Sequence, residues 1–241
     1  CTWRFGDQQV ELAVEEAIDD ECSPIVHVQR WYVPEAVDRD DCRRARDPYR
    51  CPALAGRSRS RSKGRVATFA WNTSRHLELY FAAPCSGRVC HTLNLRLFPE
   101  QLVYIVNHAE DEVIFVDNSL AKLLWPALET FTTVRHVVVM NDTGGDLPTD
   151  APNGIEVHDY ETLLAAAAPR EWDIPDENLA AAMMYTSGTT GNPKGVVYTH
   201  RSITLHTFGA MMTDSLGAHE KDIIMPVVPM FHANAWGLAH A

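Results

Sequence analysis

From Arg65 onward, short apolar runs alternate with segments whose apolar residues recur at helical spacing. Such runs are typical of buried strands, and a recurrence like that of Leu102, Ile105 and Ala109 is typical of one helix face. The predicted strands are 66–70, 89–93, 113–116, 134–140, 181–186, 196–199 and 223–228. The predicted helices are 74–83, one that begins at Pro99, one capped by Ser119 and running to about 130, a short one capped by Asp159, and one capped by Ser202 and running to about 212. This alternation predicts an α/β fold, with a mixed, mostly parallel sheet layered with helices.

The composition limits the classes of protein to which the chain can belong. Its 241 residues, 46% of them hydrophobic, can form one or two globular domains. The net charge of −11 argues against nonspecific nucleic-acid binding, and no apolar run approaches the roughly 20 residues that span a bilayer. The six cysteines show no C-x-x-C spacing and the eleven histidines no H-E-x-x-H motif. We therefore expect free thiols in a reducing cytosol, ordinary surface or core histidines, and no cysteine metal site.

Residues 1–64 differ from the rest of the chain. Residues 42–46 and 56–65 are rich in arginine and serine and poor in large apolar residues. Arginine–serine repeats can bind RNA, but a solvated linker is the more ordinary interpretation of such a segment. We interpret residues 1–64 as an atypical basic segment, poorly ordered or frame-shifted, and hypothesise that roughly residues 11–64 are frame-shifted or degraded sequence. Translation of the other reading frames of the coding DNA tests this hypothesis.

Residues 185–195 read Tyr-Thr-Ser-Gly-Thr-Thr-Gly-Asn-Pro-Lys-Gly and lie between two predicted strands. Glycines let backbone N–H groups approach an anion, while hydroxyls and a lysine add donors and positive charge. The segment is not a Walker A loop, because the fifth residue after Gly188 is Pro193 and Lys194 is followed by Gly195. The segment therefore predicts the binding of polyphosphate, and of a nucleoside triphosphate in particular.

Several motifs carry a resemblance to a known family. Residues 185–195, with 199–202 after them, resemble the phosphate loop of the adenylate-forming enzymes: acyl-CoA synthetases, luciferases and peptide-synthetase adenylation domains. Residues 226–237, Pro-Val-Val-Pro-Met-Phe-His-Ala-Asn-Ala-Trp-Gly, resemble the next core motif in its fatty-acyl-CoA synthetase form. Residues 66–72, 78–81 and 93–97 are similar to the upstream part of the same branch. Residues 65–241 are thus expected to be a partial N-terminal AMP-binding domain.

The resemblance implies a reaction. Members of the family use ATP to activate a carboxylate, whose oxygen attacks the α-phosphorus while pyrophosphate leaves, and the thiol of coenzyme A then attacks the acyl-adenylate. The expected function is the activation of a medium- or long-chain fatty acid, with ATP, Mg²⁺ and coenzyme A taking part. An aryl- or short-chain acyl-CoA ligase and a non-catalytic nucleotide-binding remnant remain as alternatives.

The resemblance also assigns roles to residues. It implies that Lys194 and His232 are catalytic, that His232 lies beside the acyl pocket and the adenylate, and that Trp236 lines or gates the acyl tunnel. It implies that the Thr186 hydroxyl helps to ligate Mg²⁺, although a single hydroxyl is a weak ligand. Judged on their own, His232 and Trp236 could equally be core residues. The residues that it assigns to the ATP phosphates are Thr186, Ser187, Gly188, Thr189, Thr190, Gly191 and Lys194.

The later motifs of the family, including its C-terminal domain, do not occur in these 241 residues. We therefore expect about half of a typical member, little or no ligase activity from this polypeptide alone, and an exposed apolar face. A cytoplasmic location is expected, with no nucleic-acid partner. A peripheral membrane contact through the substrate and a homodimer stay open.

Overall fold

A seven-stranded sheet organises the larger of two compact units in the computed structural model, which describes residues 2–5, 8–11, 64–167, 176–186, 192–219, 222 and 224–241. The other unit contains β1 (Thr2–Phe5) and β2 (Gln8–Glu11), which pair antiparallel as a hairpin. The two predictions made for residues 1–64, the basic linker and the frame shift, fall mostly outside the described residues. Among the described residues, no helix combines the length and apolar character that a membrane span requires.

Strands and helices alternate along the larger unit as the sequence predicts, with one additional strand, β7, that the sequence analysis did not predict. The strands of the sheet are β3 (Arg65–Phe69), β4 (Val89–Thr92), β5 (Asp111–Asp117), β6 (His136–Met140), β7 (Glu156–Asp159), β8 (Ala180–Thr186) and β9 (Lys194–Thr199). The helices are α1 (Ser74–Cys85), α2 (Pro99–Ala109), α3 (Asn118–Leu124), α4 (Tyr160–Ala166) and α5 (His200–Met211). Short 3-10 segments occupy Trp125–Thr130, Pro152–Gly154 and Ala233–Gly237.

The strand order is β7-β6-β5-β3-β4-β8-β9, and every neighbouring pair is parallel except β8 with β9. This arrangement confirms the predicted mixed, mostly parallel sheet with helices. The carboxyl ends of β3 to β8 consequently lie along one edge of the sheet. In α/β sheets, ligands bind in the crevice outside this edge.

The central strands are apolar because both of their faces are covered. Val137, Val138 and Val139 of β6 have no exposed surface, as expected for a parallel strand that is buried on both sides. The predicted helical spacing on α2 is confirmed, since Leu102 and Ile105 are buried in the core and Pro99 stands in the first turn.

The predicted cap at Ser119 is wrong. Helix α3 begins at Asn118, with Asp117 as its N-cap, so Ser119 lies within the first turn. The Ser119 backbone N–H donates to Oδ1 of Asp142 at 3.0 Å. The Ser119 hydroxyl also donates to this carboxylate. An anion from the loop after β6 thus satisfies the first turn of the helix, where the helix dipole favours negative charge. The α-helical part ends at Leu124, before Pro126, whose missing N–H cannot continue the ladder of hydrogen bonds.

The predicted cap at Ser202 is also wrong, because Thr199 is the N-cap of α5. The Thr199 side chain accepts the Ser202 N–H at 3.1 Å, and the Ser202 hydroxyl oxygen accepts the Thr199 N–H at 2.9 Å. The predicted Asp159 cap of α4 is confirmed by its bond to the Thr162 N–H at 2.8 Å. The strand predicted over 223–228 does not form in the described residues 224–228.

Candidate functional site

The phosphate-loop segment closes a β-hairpin. Thr186 is the last residue of β8 and Lys194 the first of β9, and the two are direct register partners. The Thr186 hydroxyl donates weakly to the Lys194 carbonyl, at 3.5 Å, and both residues are exposed. Ser187, Gly188, Thr189, Thr190 and Gly191 lie outside the described residues, so their roles stay predictions. The hairpin nevertheless places a hydroxyl and an ammonium group at the two ends of the loop, at the carboxyl edge of the sheet.

Tyr185 secures the base of this hairpin. Its ring lies against its register partner Gly195, where an added Cβ would stand 3.2 Å from Tyr185 Cζ. Its hydroxyl contacts His108 Nδ1 at 2.6 Å. Burial raises the pKa of Tyr185, so the phenol stays neutral. The ring also packs against the core beside Met183, so both side chains contribute to the packing of β8.

Asn72, which follows β3, holds the second motif, residues 226–237, at the same edge of the sheet through hydrogen bonds. The Asn72 Nδ2 group donates to the carbonyls of Pro226 and Val228, each at 3.1 Å. The Asn72 Oδ1 atom accepts the Met230 N–H at 2.7 Å. One amide side chain thus satisfies three backbone groups of a segment that forms no strand. Sequence reasoning did not assign this role, because the partners stand more than 150 positions away along the chain.

Two buried hydroxyls fix the end of the second motif. Asn234 is buried, and its Oδ1 accepts from Thr92 at 3.4 Å and lies 3.3 Å from the Tyr80 hydroxyl. Tyr80 also donates to the Met230 carbonyl. Burial raises the pKa of Tyr80 well above its ordinary value, which keeps this phenol a hydrogen-bond donor. These contacts tie the motif to β4, since Thr92 is the last residue of that strand.

Residues 233–237 form a left-handed turn between His232 and the end of the chain. The φ angles of Ala233, Asn234 and Ala235 are 47°, that of Trp236 is 58° and that of Gly237 is 76°. A left-handed conformation costs roughly 1–2 kcal/mol for each non-glycine residue, so the surroundings must hold the turn. Besides the Asn234 contacts, His206 Nε2 bonds the Trp236 carbonyl at 2.8 Å.

The two residues that the sequence analysis singled out here, one before the turn and one on it, are both exposed. The His232 side chain is exposed, and Trp236 keeps 69% of its surface accessible. Neither residue is therefore a packed core residue in this structure. Within the described part of the chain, no hydrogen bond or ring contact joins Thr186 or Lys194 to His232 or Trp236.

The two motifs are nevertheless neighbours in the sheet. Thr92, which holds Asn234, is the register partner of Met184 on β8, two residues before Thr186. The phosphate-loop segment consequently follows the carboxyl end of β8, and Asn234 of the other motif contacts the carboxyl end of the adjacent strand β4. The sequence contains the two motifs in separate places, and it is the parallel pairing of β4 with β8 that sets them side by side.

A buried carboxylate supports the loop that carries Asn72. Asp117 ends β5, has no exposed surface, and accepts the Trp71 N–H through Oδ2 at 2.7 Å. Its Oδ1 has no hydrogen-bond partner among the described residues. Burial raises the pKa of Asp117 to about 7. No sequence motif pointed to this residue, because its pKa depends on burial that only the fold creates.

The comparisons with known proteins bear on the family of the chain. The AMP-binding enzyme family matches residues 55–240. A 3-methylmercaptopropionyl-CoA ligase of Ruegeria lacuscaerulensis is 50% identical over 173 residues, which cover 72% of this chain and 32% of that protein. A medium-chain-fatty-acid–CoA ligase of Ectopseudomonas oleovorans is 44% identical over 178 residues, covering 73% of this chain and 32% of that protein. The chain thus spans about a third of the length of these relatives, less than the half expected.

A solved structure shows the same fold. The inhibitor-bound N-terminal domain of FACL13 from Mycobacterium tuberculosis superposes with a TM-score of 0.60 at 25% identity, covering 80% of this chain and 44% of that one. The seven-stranded mixed sheet is therefore the fold that the sequence resemblance implied. With more than half of its residues matched by the family, the chain belongs to the AMP-binding enzymes.

Proposed function

We propose that this chain forms part of the ATP and acid site of an AMP-forming acyl-CoA ligase, and that the acid is a medium- or long-chain fatty acid. The observation that carries the proposal is the β8–β9 hairpin, in which Thr186 faces Lys194 at the carboxyl edge of the sheet. Relatives that are named as medium- and long-chain-fatty-acid–CoA ligases support the choice of acid.

The proposed chemistry brings one anion to another. The carboxylate oxygen forms a bond to the α-phosphorus of ATP while the bond to pyrophosphate breaks, and coenzyme A later takes the acyl group and releases AMP. The Lys194 ammonium offsets the negative charge of the β- and γ-phosphates, and the loop N–H groups and hydroxyls orient them. Because Lys194 is exposed on β9, its side chain can reach an anion outside the sheet.

The Thr186 hydroxyl fits a part in Mg²⁺ binding. Its bond to the Lys194 carbonyl is long, at 3.5 Å, so the oxygen is free to turn toward a ligand. One hydroxyl is a weak ligand, so phosphates and waters must complete the set. When bound, Mg²⁺ would offset the negative charge of the ATP phosphates.

His232 and Trp236 are proposed to serve the acid. The His232 side chain is exposed directly before the left-handed turn of residues 233–237, and the Trp236 side chain is exposed on that turn, which is anchored to Tyr80 and Thr92. We propose that His232 lies beside the acyl group and the adenylate, and that Trp236 lines or gates the acyl path. The indole offers an apolar face to an alkyl chain and keeps an N–H for a polar partner.

A short thioether acid is a second candidate substrate. The relative at 50% identity is named a 3-methylmercaptopropionyl-CoA ligase, and its identity to this chain exceeds that of the medium-chain relative. Acid profiling of the longer protein that contains these residues separates the two candidates. Preference for a fatty acid supports the first, and preference for a short thioether acid supports the second.

ATP binding to the 241-residue chain tests the site itself. We expect Lys194→Met to weaken binding about tenfold or more, because a hydrogen bond to a charged group contributes roughly 1.5–3 kcal/mol. Thr186→Val should weaken the Mg²⁺ dependence of binding. Lys122→Met is the matched control, since Lys122 is an exposed lysine on α3. Equal affinity in Lys194→Met and in the control would refute the assignment.

Catalysis by the chain alone is a separate question. Because the chain spans about a third of the length of its relatives, we propose that it has little or no ligase activity by itself. Acid-dependent exchange between ATP and pyrophosphate above background in the isolated chain would overturn this proposal. ATP binding without exchange would also be the behaviour of a nucleotide-binding remnant, and the activity of the longer protein distinguishes the two.

A further inference from the structure

Three potential metal ligands meet at the start of β6 and β7, far from the site described above. His136 and Glu156 are the first residues of these strands and are register partners. His158 stands two positions after Glu156, so it lies on the same face of β7. In the described part of the chain, these three residues form a group of His, Cys, Asp or Glu side chains close enough to hold one ion.

The distances between the three donor atoms suit a tetrahedral ion. His136 Nδ1 lies 3.2 Å from His158 Nε2, and Glu156 Oε2 lies 3.5 Å from His136 Nδ1 and 3.6 Å from His158 Nε2. Zn²⁺ binds imidazole nitrogen and carboxylate oxygen at about 2.0–2.2 Å, which places two tetrahedral ligands roughly 3.3–3.5 Å apart. One ion can therefore contact all three donors with only small side-chain adjustments.

The chemistry of the donors points the same way. Two imidazole nitrogens and one carboxylate form a His₂Glu set, which binds Zn²⁺ and leaves a fourth position open. Of the three side chains, those of the histidines are 34% and 21% exposed and that of Glu156 is 67% exposed, so an ion can enter from solvent. We propose that His136, Glu156 and His158 form a binding site for a divalent transition metal, with Zn²⁺ as the best fit.

The position of this site separates it from the proposed ligase chemistry. His136 and Glu156 are the first residues of their strands, whereas Thr186 lies at the carboxyl end of β8. In the described sheet, β7 is one edge and the β8–β9 hairpin is the other. A bound ion would join edge strand β7 to β6, so its role is the stabilisation of that edge. The inference does not rest on the proposed function.

The test is a titration of the metal-free 241-residue chain with Zn²⁺, followed by calorimetry and thermal unfolding. We expect binding and a rise in Tm. Replacement of both histidines by asparagine (His136→Asn with His158→Asn) should weaken binding by more than the roughly 10–100-fold that loss of an outer-shell partner costs. The single variant Glu156→Gln should weaken it less, and its ligand-free fold is checked by circular dichroism.

His108→Asn is the matched control, because His108 is an exposed histidine on another element, α2. It should bind Zn²⁺ as the parent does. Co²⁺ provides a second readout: an absorption spectrum without a thiolate charge-transfer band supports the His₂Glu set. The proposal is overturned if the parent binds no Zn²⁺, if the double variant or Glu156→Gln binds as tightly as the parent, or if cobalt shows thiolate ligation.

Discussion

Replacement of Asn72 by alanine should release residues 226–230 from the carboxyl edge of the sheet. The variant loses two bonds from Asn72 Nδ2, to Pro226 and Val228, and one bond to Oδ1 from Met230. This segment forms no strand in the described residues. Much of its backbone satisfaction therefore depends on one side chain, which makes Asn72 a sensitive place to perturb.

The expected size follows from the number of bonds. A typical intramolecular hydrogen bond contributes about 0.5–1.5 kcal/mol net. Asn72 is half-buried, so water can replace some of the lost hydrogen bonds. The loss of all three bonds should therefore lower the free energy of opening this segment by about 2 kcal/mol. Because about 1.4 kcal/mol is a factor of ten, local opening of residues 226–230 should become about thirtyfold more frequent. Asn72→Asp should do no better than alanine, since its carboxylate meets two carbonyl oxygens that the amide had bonded.

Hydrogen exchange measured by mass spectrometry is the assay, with peptides that cover residues 226–230. Asn107→Ala is the matched control: Asn107 donates to the Thr130 carbonyl at 2.9 Å and accepts from Thr132 N–H at 2.9 Å and from its hydroxyl at 3.2 Å. This control variant also loses three hydrogen bonds, the same number as Asn72→Ala, but it should speed exchange only near Thr132. Unchanged protection of 226–230 in Asn72→Ala, or equal loss of protection in the control, would refute the reasoning.

Three further predictions concern stability. Asp117 has a pKa of about 7 in the folded state against 3.8 in the unfolded state, so the folded state binds the extra proton and the unfolding free energy falls as the pH rises between these values. In urea unfolding, the Asp117→Asn variant should lose this part of the pH dependence. An identical pH profile of the unfolding free energy in both proteins would contradict the prediction. Gly237→Ala should lower Tm more than Gly144→Ala does. Both glycines have φ near 70°, but only at Gly237 would an added Cβ meet a side chain, with His206 Cδ2 at 2.6 Å. Equal decreases in Tm would contradict this steric argument. Thr199→Ala should lower the unfolding free energy by about 1 kcal/mol through loss of the α5 cap, whereas Thr199→Ser should retain most of it.

Most of the strands that sequence reasoning found are buried on both faces; the exception is β9, an exposed edge strand that its run of Val196, Val197 and Tyr198 made recognisable. A strand buried on both faces must be apolar along its whole length, as β6 is over Val137–139, so its composition reveals it. Strand β7 escaped detection because it stands at the edge, where backbone pairing with β6 suffices and only Val157 among its four residues is apolar. The Ser119 cap was misplaced for a related reason: the first turn of α3 is satisfied by Asp142, which belongs to a loop rather than to the local sequence. The Ser202 cap was misplaced within a local motif, since Thr199 and Ser202 bond each other across three residues.

The sequence alone was enough to predict local chemistry and the family. The glycines, hydroxyls and lysine of residues 185–195 predicted a phosphate loop, and residues 226–237 predicted the family, because each motif lies within one short stretch of chain. The alternation of strands and helices predicted the fold class for the same reason. The comparison with known families then confirmed the assignment over residues 55–240.

Only the tertiary structure decided which distant residues meet. The antiparallel return of β9 set Lys194 against Thr186, and parallel pairing brought His136 to His158 across 22 positions of sequence. Asn72 holds Met230 across 158 positions. These contacts depend on strand order and register, which many weak apolar interactions throughout the sheet determine together. A short window of sequence contains none of that information. The hydrogen bonds of Asn72 to residues 226–230 and the group of His136, Glu156 and His158 therefore became visible only in the folded chain.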